Sequence, residues 1–271
     1  MELLEVSKPI VAPVDAISIA EDRILATDNI EQQPYVLRID GIGKLSRGNI
    51  SAWNGVAKSR KTYAISLAVG GLVTGNSVHY HFQPCGKGLA WADTEQSPYD
   101  AQRVVKRLRD LNQSEDGLYF YQMRKYGAKV RKQKVKAILE KHKDELEMIV
   151  IDGIRDLVVD FNDPVESSEI VTDLMAWSVD YDVHIAVVLH ANKGDGFMRG
   201  HLGTELENKS EAVFKVERED NLKDVSKVSE QFGRGKNVDD FYIKINDQGM
   251  PEVVEDIEMV VGAGPLTDAP Y

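Results

Sequence analysis

Gly55-Val56-Ala57-Lys58-Ser59-Arg60-Lys61-Thr62-Tyr63 is the stretch on which the reading of this chain turns. A phosphate-binding loop is written glycine, four residues, glycine, lysine, then serine or threonine. Gly55, Lys61 and Thr62 keep their places, and Arg60 stands where the second glycine belongs. In such a loop, consecutive backbone N–H groups and a helix N-terminus converge on an anion. Lys61 is then placed to reach β- and γ-phosphates, and the Thr62 hydroxyl to join a magnesium shell. Glycine allows close backbone approach and unusual φ values that arginine does not share. The expectation is that Arg60 already lies in the right-handed region, where the helix begins, with its side chain turned away from the nucleotide. On that reading the N–H cradle survives, and Lys58 and Arg60 add positive charge beside a triphosphate.

Outward from the loop, the sequence alternates strand and helix. Residues 48–53 read as a strand, 61–73 as a helix, 88–93 as a strand and 99–111 as a basic amphipathic helix. A short strand at 118–123 and a lysine-rich helix at 130–142 follow. Residues 147–152 and 183–190 are continuous apolar runs, the pattern of strands buried on both faces, with a helix near 165–181 between them. Beyond lie a loop at 192–203, a strand at 212–217, a polar connection and a strand at 241–246. Strands separated by helices imply an α/β domain with a mainly parallel central sheet and helices on both faces. Residues 1–35, with a short helical candidate near 14–25, read as an N-terminal extension. Residues 36–271 read as one domain with an acidic C-terminal tail.

At 271 residues the chain can bury one large core. Its 42% hydrophobic and 28% charged residues suit a soluble globular protein. No apolar run is long enough for a bilayer, and the opening MELLEVSKPI lacks a signal-peptide layout. Cys85 is the single cysteine, which excludes an intrachain disulfide framework. A cytoplasmic protein with no membrane partner is expected. The net charge of −11 argues against a chain that coats nucleic acid with its whole surface. Between residues 101 and 136, however, eleven Lys or Arg face three Asp or Glu, a balance of +8 that leaves −19 elsewhere. Lys129, Arg131 and Lys132 in this segment are candidate contacts for a polyanion such as DNA. A solvated helix face is the alternative.

Asp152 ends an apolar strand at its C-terminal tip, where ligands of open α/β sheets bind, and so is a candidate magnesium ligand. A helix cap is the plainer reading of such an acid. Glu95 follows another strand and can polarise an attacking water by accepting its proton, with Asp93 as competitor. His190 ends the next buried strand, where it can sense the γ-phosphate or simply be hydrogen-bonded structure.

Five segments in order carry a resemblance. They are 55–62, Trp91-Ala-Asp-Thr-Glu-Gln-Ser-Pro98, Ile149-Val-Ile-Asp-Gly-Ile-Arg-Asp156, Leu189-His-Ala-Asn-Lys193 and Arg199-Gly-His-Leu-Gly-Thr-Glu-Leu206. With them, residues 35–246 resemble a RecA-type ATPase, and more narrowly the RepA-like AAA ATPases of bacterial mobile elements and plasmids, relatives of hexameric replicative helicases. The resemblance implies ATP and Mg²⁺, Glu95 as catalytic glutamate and Asp152 as the metal-binding aspartate. It implies that the loop at 192–203 faces DNA through Lys193 and Arg199. It places Arg234, in Phe232-Gly-Arg234-Gly-Lys236, where helicases present a cationic finger to a neighbour's γ-phosphate. The implied partners are further copies in a ring or filament, single-stranded DNA, and other replication or mobilisation proteins. A non-hydrolysing, ATP-responsive scaffold and a regulatory ATPase of the KaiC or RadA kind, acting on proteins, are the alternatives.

Overall fold

The computed structural model describes residue 19 and residues 22–75, 82–84, 87–192 and 197–254, with 82–84 described by backbone alone. Lys193, Cys85 and the tail at 255–271 lie outside the described residues, as does most of the helix expected near 14–25; Asp22–Leu25 are turn and irregular chain. The chain divides into two units, 1–32 and 33–271. No helix among the described residues is long and apolar enough to cross a membrane.

The larger unit is organised by four strands whose residues are almost all buried: β3 (Ile50–Gly55), β5 (Gly88–Asp93), β7 (Leu146–Asp152) and β8 (His184–His190). They are preceded by β1 (Tyr35–Ile39) and β2 (Ile42–Ser46), with β4 (Phe82–Pro84) between β3 and β5, and these three make a small antiparallel sheet ordered β2-β1-β4. The remaining strands are β6 (Leu118–Gln122), β9 (Ala212–Arg218), β10 (Val225–Gly233), β11 (Phe241–Ile245) and β12 (Pro251–Val254). The nine-stranded sheet runs β12-β11-β10-β9-β3-β8-β7-β5-β6, parallel from β9 to β6 and antiparallel beyond β9.

Side chains alternate across each strand, so one sheet feeds two cores. Trp53, Trp91, Val150, Val188 and Phe214 pack into a cluster with α1 (Lys61–Ala68) and α2 (Pro98–Asn112). Ala52, Ala92, Ile149, Ile151 and Val187 pack on the other face with α3 (Ala128–His142), α4 (Pro164–Asp180) and α5 (Gly200–Lys209). The expected α/β architecture is therefore present, with helices on both faces.

Three expectations are corrected. The first helix ends at Ala68 rather than at residue 73, because Gly70 and Gly71, the latter at φ 83°, follow it. The polar connection before residue 241 contains β10, which reads as polar because its buried Glu230 pairs with Lys44 at 2.7 Å rather than joining an apolar face. Residues 192–203 are not all loop: α5 starts at Gly200, and Ala191 and Met198 form a bridge.

Candidate nucleotide site

Gly55 ends β3 and opens the loop at φ 153°; a Cβ there would come within 2.3 Å of the Val216 carbonyl oxygen and 2.5 Å of Ser59 Oγ. Only glycine fits so close to backbone. Val56, Ala57 and Lys58 arch outward and are exposed, Lys58 at φ 66°, while Ser59 turns back into the core. Arg60, the N-cap of α1, lies in the left-handed region at φ 76°, ψ 28°, not in the right-handed region expected from its place before a helix. The backbone thus keeps the shape that a glycine would take, and arginine bears the strain.

What holds Arg60 there is its side chain. The guanidinium donates to Asp224 Oδ1 at 2.9 Å, to the Val225 carbonyl at 3.0 Å and to Ser226 Oγ at 3.1 Å, at the start of β10. The side chain is thus anchored at the start of β10, two strands from β3, while Arg60 still lines the same cleft as Lys61 and Thr62. A left-handed non-glycine residue costs about 1–2 kcal/mol, and charge-assisted hydrogen bonds recover about as much. Arg60→Ala, which keeps the strain and loses the anchor, is expected to destabilise the fold by about 1–2 kcal/mol, whereas Arg60→Gly, which loses both, stays within about 1 kcal/mol of wild type. Urea unfolding of the two variants separates these outcomes; equal losses would show that the backbone is unstrained.

Lys61 is buried and donates to the Gly55 carbonyl at 2.9 Å, the Val56 carbonyl at 3.0 Å and His190 Nδ1 at 3.1 Å. Burial lowers its pKa to about 8, against the opposing fields of Asp152 and Glu95. An ammonium has donors only, so His190 Nδ1 must accept, which puts the ring proton on Nε2. That nitrogen faces Glu95 Oε1 at 3.6 Å. His190 therefore stands between the lysine and the glutamate and lowers the Glu95 pKa, keeping it ionised.

Neighbouring strands bring the acids together. Asp93 ends β5 directly beside Asp152, which ends β7. Asp93 is fully buried and its Oδ1 accepts from the Glu95 and Gln96 N–H groups at 3.0 and 2.8 Å, so it shapes the loop that carries Glu95. Thr94 Oγ1 accepts from Gly153 N–H at 2.9 Å and donates to Asp156 at 3.0 Å, tying the same loop to β7. Asp152 accepts from Thr62 Oγ1 at 2.9 Å, and burial raises its pKa to about 7. No three His, Cys, Asp or Glu side chains among the described residues surround a metal-sized space. The Thr62 and Asp152 oxygens suit Mg²⁺ in the manner of sites that take their other ligands from phosphate and water.

These groups line one cleft of about 450 Å³ at the C-terminal edge of the parallel strands, which also receives Tyr63 from α1, Arg103 and Arg107 from α2, and Arg155 after β7. The sequence reading missed the three arginines. Their only signal is the four-residue spacing of Arg103 and Arg107 on the basic helix, which puts both on one face.

Nucleotide affinity is expected to peak between about pH 7 and 8. A bound polyphosphate restores the Lys61 charge, so binding takes up a proton above pH 8 and weakens there by up to about tenfold per unit. A bound Mg²⁺ needs ionised Asp152, so binding releases a proton below pH 7 and weakens again. Titration of a fluorescent ATP analogue with Mg²⁺ from about pH 6 to about 9.5 checks this, and a flat profile contradicts it.

The cationic candidates fall in several places. Arg131 is no free cation: it donates to the Met123, Thr94, Arg124 and Asp156 carbonyls and pairs with the Asp156 carboxylate at 3.4 Å. Lys132 pairs with Asp173, and Lys129 is exposed. Arg199 is exposed, with its guanidinium 5.2 Å from the Phe161 ring that Arg155 also covers at 4.6 Å. Arg234 and Lys236 are exposed beyond β10, whose last residue, Gly233, pairs with Ala212 at the start of β9. Ala212 in turn lies beside Ser51, so Arg234 sits at the opposite end of β3 from the phosphate loop.

A profile described as an AAA domain matches residues 20–196, well over half of the chain. In fold the chain is similar to the crystal structure of the RadB recombinase, at 15% identity and a TM-score of 0.56, covering 79% of this chain and 94% of that one. It is also similar to a second solved ATPase domain, at 12% identity and a TM-score of 0.58, covering 80% of this chain and 87% of that one. No curated protein sequence matches it. The matched profile spans the phosphate loop, Glu95, Asp152 and His190, and the sheet order places them in one cleft: the chain belongs to the AAA domain family, with the RecA-like P-loop ATPase fold.

Proposed function

We propose that the protein is an ATP- and Mg²⁺-dependent ATPase that acts on single-stranded DNA during replication or mobilisation of a mobile element, assembled as a ring or filament in the cytoplasm. The observation that carries the reading is the meeting of Lys61, Thr62, Asp152, Glu95 and His190 in a single cleft. The loop N–H groups and Lys61 bind the phosphate chain, and Thr62 and Asp152 hold Mg²⁺. Bound there, the metal neutralises charge on the phosphoryl oxygens. Glu95, kept ionised, takes the proton of the attacking water; the new P–O bond forms as the bond to the ADP oxygen breaks. His190, between Glu95 and Lys61, loses its lysine contact when Lys61 turns to phosphate, and so relays occupancy of the site to the loop after β8.

Arg234 has no route to the cleft of its own chain, about one six-residue strand away, or roughly 16 Å. Its role as a cationic finger belongs to the site of a neighbouring copy. For DNA, Lys193 and Arg199 after β8 and exposed Lys129 are the contacts; the N-terminal extension ends at residue 32, and the catalytic unit begins at residue 33. Engagement of Arg131 and Lys132 inside the protein favours a second reading, a regulatory ATPase that acts on protein partners. Affinity for a single-stranded oligonucleotide, measured against salt, decides between them. A DNA-acting enzyme loses affinity steeply as salt rises and gains turnover when DNA is added. Absence of both effects selects the protein-directed reading.

A further inference from the structure

Arg107 is a buried cation without an acid. Its relative exposure is 7%, comparable with Lys44 at 4%, yet Lys44 has Glu230 at 2.7 Å and no carboxylate among the described residues lies within ion-pair distance of Arg107. The guanidinium stacks over the Tyr63 ring, 3.6 Å from its centroid, and its hydrogen bond from Nη1 to Ser66 Oγ is 3.5 Å long, the outer limit for such a bond. Nε is buried with no partner. Burying a charge unpaired is costly, and an anion bound beside it would offset that cost. Arg107 lines the same cleft as Lys61, Thr62 and Asp152, where the ATP-binding reading puts the phosphates.

We propose that Arg107 is a phosphate-binding residue of the nucleotide cleft, donating its guanidinium fork to the polyphosphate chain from α2, opposite the phosphate loop. This rests on the ATP-binding reading above. Tyr63 follows Thr62 on the first turn of α1, so a group held on its ring stands beside the phosphates. A planar fork of N–H donors matches phosphate oxygens in a way that a lysine does not. Tyr63 then serves as a platform that holds the fork before the ligand arrives.

The test compares wild type, Arg107→Gln and Arg107→Lys for binding of ATP and of inorganic tripolyphosphate with Mg²⁺ at about pH 7.5, between the Asp152 and Lys61 limbs, together with the melting temperature of each ligand-free protein. Arg107→Gln is expected to weaken both ligands about tenfold or more, and Arg107→Lys severalfold, without lowering the ligand-free melting temperature. Equal affinities in wild type and variants would overturn the proposal. So would a loss confined to ATP, which would place Arg107 on the base, and so would a lower melting temperature with affinity unchanged, which would make the residue structural. If Arg107→Gln does not fold, Arg107→Lys decides alone by the same criteria. Failure of wild type to bind either ligand would instead sink the ATP-binding reading.

Discussion

Glu95→Gln is expected to bind Mg·ATP as tightly as wild type and to lower kcat by about a hundredfold to ten-thousandfold, the span over which a positioned general base accelerates proton transfer. The change is nearly isosteric at a half-exposed side chain, so the fold bears it easily. Glutamine keeps an oxygen toward His190 Nε2 but cannot take up a proton. The pH dependence makes the role separable from that of Asp152. His190 holds the Glu95 pKa below the usual carboxylate range, so the acid limb of Mg²⁺ and nucleotide binding belongs to Asp152 and not to Glu95. Single-turnover hydrolysis across pH, with affinity measured in parallel, reads both quantities. A variant with wild-type kcat would remove Glu95 from the reaction and leave Asp93, buried and occupied by two backbone N–H groups, as a poor substitute.

Arg234→Ala should be nearly as damaging, by about a thousandfold or more in kcat, with nucleotide affinity in the isolated chain unchanged. The residue is exposed at the far end of β10 and makes one described main-chain bond, from its N–H to the Glu211 carbonyl at 2.9 Å, which alanine retains. A loss of turnover there has no explanation inside one chain, because Arg234 and the phosphate loop occupy opposite ends of β3. Turnover equal to wild type would mean that the site is complete within a single copy.

The central sheet was legible because its strands are buried on both faces. Residues 147–152 and 183–190 are unbroken apolar runs that end in Asp152 and His190, and such runs have few other readings. Asp152 and His190 were legible for the same reason, since they stand at strand tips, and Gly55, Lys61 and Thr62 through their fixed spacing. The antiparallel extension was not. The hydrophobic alternation of β10 is masked by Lys227, Ser229, Glu230 and Gln231: Glu230 pairs with Lys44, Lys227 with Asp240, and Gln231 accepts from Asn54 on β3. Arg60 misled because local rules favour a right-handed residue before a helix, while Asp224, more than 160 positions away in sequence, supplies the anchor that holds it left-handed. Arg131 misled through charge counting. On the sequence it is one more cation in a basic run, whereas in the fold it closes main-chain carbonyls of three segments. Long-range partners decided each of these, and periodicity carries no record of them.

Complementation is the sharpest test of an ATP site built in one chain and completed by the next. Lys61→Ala lacks the phosphate-binding lysine but keeps Arg234; Arg234→Ala keeps the cleft and lacks the finger. Each alone is expected to be inactive, and mixing them should restore ATP turnover, because an intact cleft can then face an intact finger. A mixture as inactive as its components, formed under conditions in which wild type assembles and hydrolyses ATP, would contradict it.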